Sequence, residues 1–467
     1  MSASKGEKGG PNMAEHDTGP ASVGGDIGMR ELAERARAVI PGGVNSGQRS
    51  VPGLSDLVVV ATGPTTFTDA SGRTFLDFHA AFGPPLLGHR DVDVDRAVEA
   101  AVHGVDLTGI GVTPIEIDLA ERLVHHVPSI EKVLLTTTGS EATAHAVRVS
   151  RVFTGRHRIV KFQGCFHGFH DQLAMNVISS AERVSHKDPL SEGILPEVLD
   201  ATIVLPFNDS QAVERAFAQY PGEIAAVIVE PIPHNIGTVL PLPGFLDSLR
   251  KLTMKDGALL IFDEVITGFR HGLGGYQAIE GVTPDITTVG KAMANGYPIA
   301  AIGGRSDVMD LFSSRPGGRA FFAGTYNGHP ATVAAALATI RKLEEEPVHE
   351  HVYHLGELAR SGLRAMYERL GIPVVVTGFG SVFVTYFMDG EVTEYRDLLR
   401  NDVERFVGYR REMLIDGVFE LPLNLKRSHL SYAHTERDVD RLLEATERAV
   451  GRAFGQIEAR ALNHLEG

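Results

Sequence analysis

A single cysteine, Cys165, among 467 residues excludes an intramolecular disulfide and any all-cysteine metal site. It suits a reducing cytoplasm. Positive charge is scarce as well, since 44 Lys and Arg face 59 Asp and Glu, leaving a net charge of −15 at pH 7. That balance argues against nucleic-acid backbone binding as a main activity and against a polybasic membrane contact. No apolar run approaches the ~20 residues that span a bilayer, and no repeat of solenoid period is visible. Residues 1–28 lack an apolar core, and their Gly, Ser, Lys, Asp and Pro read as a disordered tail rather than a secretory signal. What the chain does have is 43% hydrophobic residues, enough for two or more domains of a soluble globule.

Helical spacing begins at Met29 and stops at Pro41-Gly42-Gly43. Residues 57–78 read as an antiparallel meander turning at Ala70-Ser71-Gly72-Arg73. Helices and short apolar strands then alternate. Strands are expected at 132–136, 158–162, 202–205, 225–230, 258–262, 286–289 and 300–303, and helices at 93–102, 114–126, 140–153 and 331–345. That alternation predicts an α/β fold with a mostly parallel sheet covered on both faces. The remainder reads as a smaller α+β domain with strands at 374–377 and 383–387 and a terminal helix at 436–453. The expected division is a tail (1–28), an N-terminal helix and meander packing with the small domain (29–90), a large domain (91–340) and the small domain (341–467).

Two residues at strand ends carry most of the chemistry. Asp263 closes the apolar run Ala258-Leu259-Leu260-Ile261-Phe262, and Lys291 follows a β-branched run that ends in Gly290. In an open α/β sheet both converge at the carboxyl edge, where ligands bind. An aspartate facing a pyridinium nitrogen and a lysine forming an imine are a protein's two main contributions to pyridoxal phosphate catalysis. Either residue alone reads as ordinary, Asp263 as a helix-capping acid and Lys291 as a solvated surface lysine. Together, in this order, they resemble the class III (fold type I) pyridoxal-phosphate aminotransferases.

The resemblance extends from Met29 onward and implies roles for further residues. In T-T-T-G-S-E-A, Thr138, Gly139 and Ser140 lie between a strand and a helix, where free N–H groups and the helix dipole favour the cofactor phosphate; otherwise Ser140 is an N-cap. In F-Q-G-C-F-H-G, Phe166 stands where the family has a tyrosine stacked on the pyridine ring, followed by His167. Core packing and a satisfied loop histidine are equally good readings of that pair. Glu230, in V-I-V-E-P, is implied as a site-wall acid, and Asn235 as a contact to the ring hydroxyl or a simple turn residue. Thr325, in A-G-T-Y-N-G-H-P, is implied to reach the partner's phosphate across a two-fold interface, which makes the protein a homodimer with shared active sites.

Within the class, the chain is most similar to glutamate-1-semialdehyde 2,1-aminomutase and related β- and ω-amino acid aminotransferases. P-G-G-V-N-S-G-Q-R places Ser46 and Arg49 where the mutase binds a substrate carboxylate, a task suited to a guanidinium fork. Three departures point to an aminotransferase that uses a 2-oxo acid acceptor. Gly47-Gln48 replaces the usual P-V, residues 177–198 are not the mutase's Gly/Ser-rich lid, and Leu425-Lys426-Arg427 stands where the mutase carries a glutamate. Arg427, or failing that Lys426, is the candidate second carboxylate contact, unless both are solvated charge. The aminomutase is the alternative. A ligand-binding module without turnover, as in fused transcription regulators, fits less well, because Lys291 is retained and no basic helix-turn-helix is attached. No metal site is expected.

Overall fold

The computed structural model describes residues 28–465; the expected tail lies almost wholly outside them. Contacts divide these residues into two units. The first comprises residues up to Val59 together with Asp69–Gly72. Its helix Met29–Val39 ends where Pro41 follows, and Gly42 and Gly43 turn the chain at φ 70° and 77°. A short 3₁₀ turn, Gly47–Arg49, carries Arg49, which is exposed like Ser46.

The second unit is built around a seven-stranded sheet. Its strand order is Lys132–Thr136, Ala300–Gly304, Ile286–Val289, Leu259–Glu264, Ile224–Val229, Arg158–Phe162 and Thr202–Leu205. All neighbours are parallel except Ala300–Gly304, which runs antiparallel to both of its partners. The central strands Ile224–Val229 and Leu259–Glu264 are buried at every position, the pattern of a parallel sheet covered on both faces. The α/β expectation therefore holds. Asp263 lies inside its strand rather than just beyond it.

A second sheet pairs Thr66–Asp69 antiparallel with Thr74–Asp77, and Val418–Phe419 joins Thr74–Asp77 in parallel. A third contains Val375–Phe379, Val382–Tyr386 and Ser428–His429. The helices Val348–Arg369, Val403–Met413 and Glu436–Leu465 accompany these strands. Apolar residues of the large sheet, such as Phe162 and Val229, share one core with Leu363, Phe383 and Leu442 of the C-terminal elements.

Candidate active site

Strand register brings the two principal residues together. Asp263 pairs with Thr288, so the strand bearing the acid lies beside the strand that runs through Gly290 into Lys291. Lys291 adopts φ 45°, a left-handed conformation that costs ~1–3 kcal/mol in a non-glycine residue and clusters at functional sites. The Asp263 side chain is buried and accepts three hydrogen bonds: from His167 Nδ1 at 2.7 Å, from Thr288 Oγ1 at 3.0 Å and from the Val265 backbone N–H at 3.2 Å. A carboxylate only accepts, so the His167 proton sits on Nδ1. Burial lowers the His167 pKa and keeps the ring neutral, and its Nε2 has no partner.

Phe166, His167, Glu230, Asp263 and Lys291 line one cavity with Thr138, Gly139 and Ser140. Its volume of about 280 Å³ lies near the lower end of the small-molecule range of ~300–1,000 Å³. The N-cap of the helix Gly139–Thr154 is Thr138, not Ser140: Thr138 Oγ1 accepts from the Glu141 N–H, and Glu141 reaches back in a capping box. Ser140 is thereby left in the first turn beside exposed helix N–H groups. Gly168, at φ 95°, passes so close that a Cβ there would lie 2.5 Å from Ser140 Oγ. A Cβ on Gly139 would meet Val265 at 2.9 Å. The two glycines leave a cradle that side chains would fill.

Charge in the site is unevenly matched. Glu230 Oε1 accepts from the Phe166 N–H at 2.6 Å, while Oε2 is buried without a partner. Burial, then the Asp263 charge, raises its pKa to about 8. Lys291 is depressed to about 8, first by burial and then by the Arg427 guanidinium. Arg427 is buried, donating from Nε to His429 Nε2 at 3.1 Å and from Nη2 to the Phe82 carbonyl at 2.8 Å. It is therefore not solvated charge. Lys426 turns to Asn235 instead, giving 3.1 Å to its carbonyl and 3.0 Å to Oδ1.

Thr325 lies on an exposed turn and is not among the residues lining the cavity of its own chain. Ser46 and Arg49 belong to the N-terminal unit. Sequence reasoning assigned no role to Thr288 or Arg270. Thr288 is a polar residue in a buried apolar strand, which is a usable signal. Arg270 is also buried and donates to Ser381 Oγ at 2.7 Å and to the Gly83 carbonyl. Among the described residues, no group of three or more potential metal-ligating side chains assembles.

A strand-borne aspartate, a lysine at a left-handed turn and a glycine cradle at a helix N-terminus, on this sheet, define a pyridoxal-phosphate enzyme of fold type I. The residues fit that cofactor: three buried polar atoms, His167 Nε2, Glu230 Oε2 and Asn235 Nδ2, have no partner among the described residues. Residues 50–407 match the family Aminotransferase class-III, and the chain belongs to it. It is 40% identical over 427 residues to the glutamate-1-semialdehyde 2,1-aminomutase of Akkermansia muciniphila, covering 90% of this chain and 98% of the relative. Among solved structures it is similar to an omega-transaminase from Sphaerobacter thermophilus, with a TM-score of 0.85, 35% identity and coverage of 91% and 97% of the two chains. It is also similar to a glutamate-1-semialdehyde aminomutase from Pseudomonas aeruginosa in complex with PMP, with a TM-score of 0.82, 25% identity and coverage of 90% and 93%.

Proposed function

We propose that this class III enzyme moves an amino group between a carboxylate-bearing β- or ω-amino acid and a 2-oxo acid, with Lys291 and Asp263 as its catalytic residues. Pyridoxal phosphate, when bound, supplies the electron sink for carbanion chemistry at the substrate carbon. Asp263, fixed by three donors, would hold a positive charge on the cofactor's ring nitrogen. Lys291 Nζ would tether the cofactor and carry the proton to and from the substrate carbon. The depressed pKa of Lys291 favours both tasks, because an amine must be neutral to attack or to accept a proton. Thr138, Gly139 and Ser140 would receive the phosphate and Phe166 would stack on the ring, while His167 holds Asp263 in place.

The observation that carries the substrate class is the buried Arg427, which donates to His429 and to the Phe82 carbonyl and whose charge helps to lower the Lys291 pKa. A buried cation calls for an anion, and a substrate carboxylate would supply it. Arg49, with Ser46, is the second such contact. Residues 177–198, where a lid that traps a released intermediate would lie, are fastened instead: Lys187 to Asp200 at 2.7 Å, the Asp188 N–H to Asn176 Oδ1 at 2.9 Å, and Tyr395 to the Ser179 carbonyl at 2.7 Å. This favours exchange between two substrates. The names of the curated relatives favour the second reading, intramolecular amino transfer by a glutamate-1-semialdehyde 2,1-aminomutase, and on that evidence it is the better-backed of the two.

The active unit is a homodimer in which Thr325 of one protomer completes the other's phosphate site. Phe321 and Tyr326, flanking Thr325, are 77% and 63% exposed, a large apolar surface for a polar loop to leave in water. No helix among the described residues is long and apolar enough to cross a membrane. The single cysteine supports a reducing compartment, and the cytoplasm is the location proposed. The deciding assay supplies glutamate-1-semialdehyde alone and, separately, a β-amino acid with 2-oxoglutarate. Product only from the second pair is expected; product from the first without a 2-oxo acid establishes the mutase.

A further inference from the structure

Lys426 is buried in the chain that leads into the strand Ser428–His429. Its ammonium donates to two oxygens of one residue, the carbonyl and Oδ1 of Asn235. The amide oxygen of Asn235 is the atom turned toward Lys426, and Nδ2 is turned away. Burial lowers the Lys426 pKa to about 7, and the amine donates to these oxygens in either protonation state.

The atom turned away is a buried nitrogen without an acceptor. A buried donor left unmade is costly, so its retention implies an acceptor from outside the chain. Asn235 sits on the 3₁₀ turn His234–Ile236, just beyond the strand whose exit carries Glu230. Glu230 lines the cavity and holds the Phe166 N–H. These two Nζ contacts of Lys426 both go to Asn235.

We propose that Lys426 is a positioning residue: by holding the Asn235 amide oxygen it presents Asn235 Nδ2 as a hydrogen-bond donor to an oxygen of the bound cofactor. The proposal rests on the pyridoxal-phosphate reading of the site. Binding of pyridoxal phosphate to apoprotein, measured by equilibrium dialysis, tests it together with thermal unfolding of each apoprotein. Lys426→Met and Asn235→Ala are each expected to weaken binding about fivefold, one hydrogen bond's ~1 kcal/mol, and the double variant no more than either alone. Lys426→Arg, which keeps donors at the same place, is expected to recover part of the loss. Asn235→Asp separates positioning from folding. Its carboxylate still pairs with Lys426 but has no donor, so binding should weaken although the apoprotein unfolds no earlier than wild type.

Wild-type affinity in Lys426→Met or in Asn235→Asp overturns the inference. So does additivity, about 25-fold in the double variant. Wild-type protein that takes up no pyridoxal phosphate overturns the reading of the site itself, and this inference with it.

Discussion

Replacing Asp263 with asparagine changes charge and hydrogen-bond sense with almost no change in shape. Three donors converge on the carboxylate: His167 Nδ1 at 2.7 Å, Thr288 Oγ1 at 3.0 Å and the Val265 N–H at 3.2 Å. An amide offers one acceptor oxygen and an NH₂ group. If the oxygen stays on the Thr288 and Val265 side, the new NH₂ faces His167 Nδ1. The imidazole must then move its proton to Nε2. The catalytic loss follows from the missing charge. A carboxylate at the ~2.8 Å of a charge-assisted bond from a protonated ring nitrogen is worth roughly 6 kcal/mol at an effective dielectric of ~20. Desolvation offsets part of this, leaving an expected fall in kcat/KM on the order of 10³–10⁴-fold, at ~1.4 kcal/mol per decade. Steady-state kinetics with an amino donor and 2-oxoglutarate measures the loss, and ¹⁵N NMR of labelled histidine reads the tautomer. An Asp263→Asn enzyme within tenfold of wild type, with the His167 proton still on Nδ1, would refute the assignment.

Gly168→Ala sets a Cβ 2.5 Å from Ser140 Oγ at a φ of 95°; it is expected to cost about 2 kcal/mol or more and to weaken cofactor binding, seen by calorimetry of the apoprotein and by dialysis. Gly155→Ala, also at positive φ but with nothing within 4 Å, should cost about 1 kcal/mol and leave binding unchanged. Glu230 has its folded pKa raised by burial to about 8 from the ordinary 4.5, so its contribution to apoprotein stability is whole below pH 4.5 and is lost as pH rises through about 8. Glu230→Gln should remove that decline between those limits, as denaturant titrations across the window would show; an unchanged slope would mean the group is ionised throughout. Mixed dimers of Lys291→Ala with Thr325→Ala should regain more activity than either parent, because one hybrid site then has both residues; no gain by any mixing ratio would count against a shared site.

The sheet was legible because its strands are short apolar runs, those at its centre buried at every position, a pattern that survives without knowledge of neighbours. Lys132–Thr136, Arg158–Phe162, Thr202–Leu205 and Ile286–Val289 match the expected bounds. The convergence of Asp263 and Lys291 was legible for the same reason: each ends or follows such a run, and parallel strands place their carboxyl ends on one edge. The cap at Thr138 was not legible, because Ser140, whose alternative to a phosphate contact was an N-cap role, is as good an N-cap by type. What decided between them is the spacing to Glu141, which makes a capping box only with Thr138.

The rest of the site depends on groups far apart in the chain. Asn235 and Lys426 lie 191 positions apart, and either residue alone reads as a turn or a surface charge. A sharper case is Ala80-Ala81-Phe82-Gly83, where φ is 47°, 48°, 67° and 109°. Nothing in two alanines and a phenylalanine favours the left-handed region, which costs roughly 1–3 kcal/mol per residue. The conformation is held from outside. Arg427 takes the Phe82 carbonyl, Arg270 the Gly83 carbonyl, and His429 the His79 carbonyl. Arg427 and His429 come from the far end of the sequence and Arg270 from its middle; they are buried cations or a buried imidazole, each spending hydrogen bonds on a backbone that local preference would fold otherwise. Strain and buried charge therefore support one another here: the strained turn supplies carbonyl acceptors to both arginines, and the arginines help to hold the turn. Neither half is visible in a local window, and for that reason the substrate side of the site is less legible than the cofactor side.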